Sequence, residues 1–412
     1  IDPDSLNVWH EDRLVGFLWR NAAGAIGFRY SEDWLDKGGY IISQTLPVRE
    51  EAFSPDDGIA HRFFANLLPE GNVREHIVRD LKIGNADFEL LRAIGGECAG
   101  ALSILPVERT PDLDYKYRPL DDAELTQLLQ RRGQIYTAYP ADQRPRLSLA
   151  GAQDKCPVLL RDNEFFLPQT EAPSSHILKF EVRDYPHLPA YETFTTLLAS
   201  RIELPVVNIV LRSHDDTRFV QIERYDRTWL GDHLTRLHQE DFCQALGYGH
   251  DRKYQESGGP TFADCFRLLR EVSSNPAVDI QNLLRWQIFN YLAGNSDGHA
   301  KNLSLLYTQD GETRLAPFYD LICTRAIERI DARLAFAIGG QRDPGHINDE
   351  HWKELARQCD VAPRLVKELV NETRIVLLEK VTPAREEFDA LYGDYPALQR
   401  IEQVVHQQCR IS

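Results

Sequence analysis

Apolar and polar positions divide the chain into three stretches of different texture. The first 30 residues read as short strands: Leu14-Val15-Gly16-Phe17-Leu18-Trp19, a turn over 21–24, then Ile26-Gly27-Phe28-Arg29-Tyr30. Helical spacing follows around 61–68 and again over 87–94. Three prolines and many charges between Leu105 and Pro119 make that segment the best candidate linker. Strand signals return from about 145 to 226. Pro157-Val158-Leu159-Leu160 and Phe165-Phe166-Leu167 flank a polar turn and predict a hairpin. Ser175 to Phe180 is a third strand, a helix is predicted from Pro189 to Arg201, and strands follow over 206–211 and 219–222. Beyond Arg227 the pattern is mainly helical. Leu283, Leu284, Ile288, Tyr291 and Leu292 keep helical spacing until Gly294 ends it. One hairpin interrupts the helices, with Leu303 to Tyr307 and Arg314 to Phe318 about an Asp310-Gly311 turn. The chain is therefore expected to be α+β in three units: 1–115, 116–226 and 227–412.

Composition narrows what such a chain does. Hydrophobic residues make up 42% of its 412 residues and charged residues 27%, which excludes a disordered or fibrous protein. No apolar run reaches the ~18–20 residues that span a bilayer, so no membrane partner is expected. Ile1-Asp2-Pro3-Asp4-Ser5 has neither a basic start nor an apolar signal core. Against 47 Lys and Arg stand 63 Asp and Glu, a net charge of −16. That balance argues against phosphate-driven nucleic-acid binding by this chain and leaves room for a basic partner. The seven cysteines (98, 156, 243, 265, 323, 359 and 409) form no C-x-x-C pair, so neither a zinc site nor a disulfide framework is expected, and a cytoplasmic setting is. No methionine occurs at all, so weight is placed on tight motifs rather than on long spacings.

The segment Gly294-Asn295-Ser296-Asp297-Gly298-His299-Ala300-Lys301-Asn302 is too polar to continue the helix before it. Asp297 and Asn302 have the Asp-x4-Asn spacing of a kinase catalytic loop, in which the Asp accepts the proton of the acceptor hydroxyl and the Asn binds metal. Alone the spacing is weak. The hairpin that follows strengthens it, because folding about its turn brings together its two ends, Asn302 and Asp320. An Asn and an Asp there make a candidate Mg²⁺ site of oxygen ligands. A solvated loop with capping residues is the competing reading. Lys179 lies in the apolar run Ile177-Leu178-Lys179-Phe180, where an ammonium is costly without an anion such as phosphate. A strand lysine reaching back to solvent is the alternative. Glu192 is a candidate partner for Lys179, although a solvated helix face is its favoured reading.

Arg146 to Lys155 is rich in small residues that let a backbone approach phosphate, yet matches neither standard phosphate-loop motif. Glu223-Arg224-Tyr225-Asp226-Arg227 falls where strands give way to helices, as a hinge against adenine or as a charged connector. Gly294-Asn295-Ser296-Asp297-Gly298 also fits G-x-S-x-G, which would make Ser296 a hydrolase nucleophile. That elbow needs a strand before it and a helix after it, and the predicted order is the reverse.

Together these segments resemble the HipA family of bacterial serine/threonine kinase toxins. The resemblance rests on Ser148 to Lys155, His176-Ile177-Leu178-Lys179, Glu223 to Arg227, His238-Gln239-Glu240-Asp241-Phe242-Cys243-Gln244, Asn295 to Asn302 and Pro317-Phe318-Tyr319-Asp320, six segments in the family's order. It implies a two-lobed, kinase-like fold with an extra N-terminal subdomain. It implies ATP held by Ala150, Gly151, Ala152, Gln153, Asp154, Lys155, Lys179, Glu223, Arg224, Tyr225, His299, Ala300, Lys301, Asn302, Tyr319 and Asp320. Asp297 is then the base, Asn302 and Asp320 hold Mg²⁺, and Ser148 is the position of self-phosphorylation, which inactivates. The implied partners are a translation component such as an aminoacyl-tRNA synthetase as substrate, and a small DNA-binding antitoxin. Around Gln341 to His346, where some relatives carry a lysine-rich patch that touches DNA, this chain has none, which argues against direct DNA contact. A nucleotide-binding module that acts only as a repressor component with the antitoxin is the alternative.

Overall fold

The computed structural model describes residues 5–135, 144–182 and 184–411. The reading of Ile1 to Asp4 lies outside them. The N-terminal block opens with a meander of β1 (Leu6–His10), β2 (Arg13–Arg20) and β3 (Ile26–Tyr30). Four helices follow, α1 (Glu32–Asp36), α2 (Ile59–Ala65), α3 (Gly71–Leu81) and α4 (Asp87–Ile94). β4 (Leu102–Pro106) then returns beside β1 and completes the order β3-β2-β1-β4. The inward faces of the strands, with Leu6, Val8, Leu18 and Phe28, bury against Phe63, Phe64, Leu90 and Leu91.

The second block is a six-stranded antiparallel sheet. It contains β5 (Tyr117–Pro119), β6 (Lys155–Arg161), β7 (Glu164–Pro168), β8 (His176–Phe180), β9 (Ile209–His214) and β10 (Thr217–Glu223) in the order β5-β7-β6-β8-β10-β9. Asp162 and Asn163, both at positive φ (52° and 64°), make the tight β6–β7 turn that right-handed strand twist favours. Helix α5 (Asp122–Gln130) starts on a capping box of Asp121 and Glu124. Helix α6 (Leu188–Arg201), with Pro189 in its first turn, connects β8 to the far edge of the sheet.

The third block begins with the hairpin β11 (Arg227–Leu230) and β12 (His233–Arg236). β13 (His238–Asp241) leads into α7 (Phe242–Leu246), then α8 (Phe262–Val272) and α9 (Pro276–Ala293). β14 (Ser304–Tyr307) and β15 (Thr313–Leu315) complete a three-stranded sheet with β13. α10 (Asp349–Gln358), α11 (Pro363–Tyr392) and α12 (Gln399–Ile411) close the chain around a core that includes Phe194, Trp286, Phe318, Trp352 and Phe388. Gly294 ends α9 at φ 74°. No helix among the described residues is long and apolar enough to cross a membrane. All seven cysteines are buried and free.

The α+β class and most elements match the sequence reading, and four differences have physical causes. The linker begins and ends inside strands, since Pro106 closes β4 and Pro119 sits on the edge strand β5, where a missing N–H costs no ladder bond. Helix α3 escaped notice because it has no side-chain cap and buries only Ile77. The strand expected from Val206 starts at Ile209, while Val206 bridges Phe318 instead. The block after Arg227 holds a second hairpin, β11–β12, beyond the one expected.

Candidate active site

A cleft of about 510 Å³ opens between the six-stranded sheet and the helical block, within the size range of small-ligand sites. One wall is apolar, with Ile177, Val207, Ile222, Tyr225 and Tyr319. The other is charged, and its centre is Lys179. Burial leaves this lysine 5% exposed, and its Nζ donates to Glu192 Oε1 at 2.6 Å and to Asp320 Oδ1. Burial alone would favour the neutral amine. Asp320 and Glu192 outweigh it and raise the ammonium above its ordinary range. Glu192, expected on a solvated face, is 1% exposed because α6 is buried along nearly its whole length. Its Oε2 has no hydrogen-bond partner.

Lys155 lies directly across from Lys179 in the β6–β8 register. Two ammonium groups on one face of a sheet repel. Burial pushes Lys155 down to about 8 against the pull of Asp320. Its Nζ donates to Ala150 O at 2.7 Å, folding the preceding loop over it. Gly151 in that loop has φ 109°, and a Cβ there would meet Lys155 Nζ at 2.9 Å. Ala150, Gly151, Ala152 and Gln153 line the cleft, whereas Asp154 faces a neighbouring pocket with His76 and Arg132. Ser148 is fully buried, and its hydroxyl donates to Leu67 O at 2.8 Å.

Asp320 is placed by its neighbours on both sides. Phe318 exchanges backbone hydrogen bonds with the chain before β9: Phe318 N donates to Pro205 O (2.7 Å) and Val207 N donates to Phe318 O (3.0 Å). Tyr319 OH donates to Lys301 O at 2.7 Å and meets Ser304 Oγ at the same distance, tying the hairpin's two ends together as the sequence suggested. Asp320 itself has φ 55°, a conformation that Asp tolerates better than most residues. Burial would raise its carboxyl, but Lys179 and Lys155 hold it at about 2.

The polar segment after α9 forms the floor. Asn302 Nδ2 donates to Asp297 O at 3.0 Å, closing the loop, and Asn302 lines the cleft. Asp297 is exposed, and its Oδ1 accepts from Tyr254 OH at 2.6 Å. His299 is buried, and burial lowers its pKa to about 4, so it is neutral. Lys301 is not free for a ligand. Its Nζ donates to Asn66 Oδ1 (2.8 Å) and lies 3.3 Å from Glu70 and 3.5 Å from Asp241, pinning the N-terminal block to this loop. Ala300 packs into the helical core instead of lining the cleft.

Two further sequence readings meet the structure here. Arg224 contributes no free charge to the cleft, because its guanidinium is buried against Glu97 and Asp226, while Glu223 and Tyr225 stand at the cleft edge. Ser296 is no nucleophile. Its hydroxyl is buried between Thr324 Oγ1 and Asp331 O, each at 2.7 Å, and a helix precedes it while a hairpin follows.

The residues present fit a nucleotide with a hard divalent cation. An apolar slot flanked by aromatic rings adjoins two lysines, and an Asn carbonyl and an Asp carboxylate supply the oxygen donors that Mg²⁺ prefers. The buried, unpartnered Nδ1 of His299 and Oε2 of Glu192 leave hydrogen-bonding capacity at the same site.

Comparison with known proteins supports the same picture. The sequence profile of the HipA-like C-terminal domain matches residues 147–380, and that of the HipA N-terminal domain matches 6–105. The chain belongs to the HipA family. A HipA serine/threonine-protein kinase toxin of Shewanella oneidensis is 31% identical over 354 residues, covering 82% of this chain and 79% of that one. A kinase candidate of Sinorhizobium fredii is 39% identical over 397 residues, 94% of each chain. The structure of Shewanella HipA with HipB and operator DNA matches with a TM-score of 0.83 at 26% identity, covering 98% of this chain and 96% of that one. The fold is thus the kinase-like α+β fold of HipA.

Sequence reasoning passed over Glu70, Tyr254 and the full weight of Glu192. Only Glu192 left a local signal, as the one charge between Leu188 and Ala199.

Proposed function

We propose that this chain is a Mg-ATP-dependent protein serine/threonine kinase and the toxin of a toxin–antitoxin pair. The observation that carries the reading is the buried Lys179, bridging Glu192 and Asp320 at the head of a cleft whose floor is Asp297 and Asn302. In kinases the same lysine–glutamate pair must be in place for transfer.

Lys179 and Lys155 meet the nucleotide's phosphates, and Ala150 to Gln153 bring backbone close to them. Glu223 and Tyr225 border the base. Asn302 and Asp320 hold Mg²⁺, which supplies charge neutralisation across the phosphates when bound. Asp297 accepts the proton of a Ser or Thr hydroxyl. Asp154, Arg224, Ala300 and Lys301 keep the surrounding backbone in place rather than touching ligand through their side chains.

A translation component such as an aminoacyl-tRNA synthetase is the proposed substrate, and a small HipB-like antitoxin the proposed partner. With a net charge of −16, this chain leaves DNA contact to that antitoxin. Self-phosphorylation at Ser148 is the proposed off-switch. The segment must leave its dock first, because the hydroxyl is buried on Leu67 O and the backbone of 147–148 pairs with Glu97.

The test is mass spectrometry and phosphoamino-acid analysis after incubation with Mg-ATP. Phosphoserine at 148 in the wild type, absent in Asp297→Asn, is the expected result. A chain that binds ATP yet acquires and transfers no phosphate is instead a nucleotide-binding repressor component.

A further inference from the structure

Asp297 is the exposed carboxylate to which an acceptor hydroxyl must come, and a hydroxyl already occupies it. Tyr254 OH donates to Asp297 Oδ1 at 2.6 Å. Tyr254 belongs to no helix or strand longer than a turn. It lies between two short 3₁₀ turns, 250–252 and 255–257, in a segment bounded by Gly247 at φ 77° and Gly258 at φ 79°. Its ring meets His299 edge-on, with centroids 5.0 Å apart, and is otherwise half-exposed.

The ring also borders open space. On its outer side lies a second, open cavity of about 520 Å³, lined by Tyr254 itself with Arg74, His250 and Lys253. Asp297, to which its hydroxyl donates, lines the cleft. Glu70 and Lys253, paired at 2.9 Å, border both. The phenol thus borders the outer cavity while its hydroxyl rests on Asp297.

We propose that Tyr254 is an internal stand-in for the acceptor, a gate whose hydroxyl holds the proton-accepting oxygen of Asp297 until an incoming segment displaces the ring into the outer cavity. The inference rests on the reading of Asp297 as base. A phenol hydroxyl donating to this carboxylate makes the hydrogen bond that a Ser or Thr hydroxyl makes at the start of transfer. The two therefore compete for that oxygen. Tyr254 acts through Asp297 and is a positioning residue in this account.

The closing experiment uses water as the acceptor, so that no protein substrate has to be known. The rate of Mg-ATP hydrolysis is measured for the full chain as wild type, Tyr254→Phe, Asp297→Asn and the double variant, alongside their melting temperatures. Tyr254→Phe keeps the ring and its packing on His299 and removes only the hydroxyl. The expected result is a rise of about three- to tenfold, the scale of one charge-assisted hydrogen bond to a partly exposed group, with the gain abolished in the double variant. An unchanged or lower rate in Tyr254→Phe, with Asp297→Asn inactive, overturns the gate and leaves the base assignment standing. A merely structural tyrosine gives that outcome. A gain that survives in the double variant also overturns the gate. Hydrolysis by Asp297→Asn at the wild-type rate overturns the base assignment itself, and the gate with it.

Discussion

Two clusters of buried charge, one in the cleft and one at a seam between blocks, are built for opposite ends. At the seam between the N-terminal block and the second sheet, Glu97 and Asp226 face Arg224 and Arg227. Every carboxylate oxygen there is met. Glu97 Oε1 accepts from Ser174, Arg224 and Arg227, and its Oε2 accepts from Arg224. Asp226 accepts from Arg224 through both oxygens and from Gly100 N. In the cleft, by contrast, the cations are lysines. Lys155 has been pushed toward neutrality, and one oxygen of Glu192 has no partner. Guanidinium forks fix a carboxylate in one geometry, whereas an ammonium is a point charge that can be shared with a newcomer. The seam meets all its carboxylate oxygens, with Arg227 Nε left without a partner, and holds blocks together. The cleft has capacity left over, on a face open to 510 Å³ of space.

The comparison breaks most visibly at Glu97. Glu97→Ala leaves Arg224 and Arg227 without their shared carboxylate, and removing one partner of a buried ionic cluster costs about 3–5 kcal/mol. Urea unfolding should show a loss of that size, with unchanged Mg-ATP affinity in the fraction that remains folded. A loss below about 1 kcal/mol would mean that the seam is no clasp. Arg224→Lys is a milder cut that keeps the charge and removes the fork. It should cost about 1–3 kcal/mol, the worth of charged hydrogen bonds lost, in the same experiment and again with no effect on nucleotide.

The cleft should respond in the other currency. Glu192→Gln keeps a hydrogen-bonding oxygen beside Lys179 and removes the charge that orients it. The expected loss is about tenfold in kcat/KM for phosphate transfer, with little change in unfolding. A stability loss as large as that of Glu97→Ala would merge the two clusters into one kind. The smallest effect is a titration. Lys155, with its pKa lowered to about 8 by burial, is protonated below that pH and loses its charge above it. The KM for Mg-ATP should therefore be flat from pH 6.5 to 7.5 and rise about threefold by pH 9, and Lys155→Gln should flatten the profile. The seam arginines do not titrate in this range, so no parallel change in stability from that cluster is expected.

The same contrast explains what the sequence could and could not disclose. The β6–β7 hairpin, the end of α9 at Gly294 and the loop from Asp297 to Asn302 are written in neighbouring residues, and each lies where local pattern placed it. Lys179 was legible because a lysine in Ile177-Leu178-Lys179-Phe180 needs an explanation whatever surrounds it. Its partners were less so: Glu192 was only a candidate against a solvated helix face, and Asp320 was not paired with it. Glu192 lies 13 residues away and Asp320 lies 141 away, and nothing in periodicity links them. Arg224 was open as hinge or charged connector, and nothing nearby in the sequence pointed to Glu97, 127 residues upstream, as the partner of its guanidinium. Tyr254 sits in a Gly-rich loop with no hydrophobic period, so its arrival at Asp297 is a product of tertiary folding alone. Family resemblance added order to the six segments, but it did not distinguish side chains that line the cleft from those, such as Asp154 and Ala300, that support it.

The division between cleft and clasp is tested most directly by titrating Mg-ATP calorimetrically into Lys179→Met and Arg224→Lys at one temperature and pH. The account predicts an affinity weakened at least about tenfold in the first and equal to wild type in the second. Equal affinities in wild type and Lys179→Met, or a loss confined to Arg224→Lys, would contradict it.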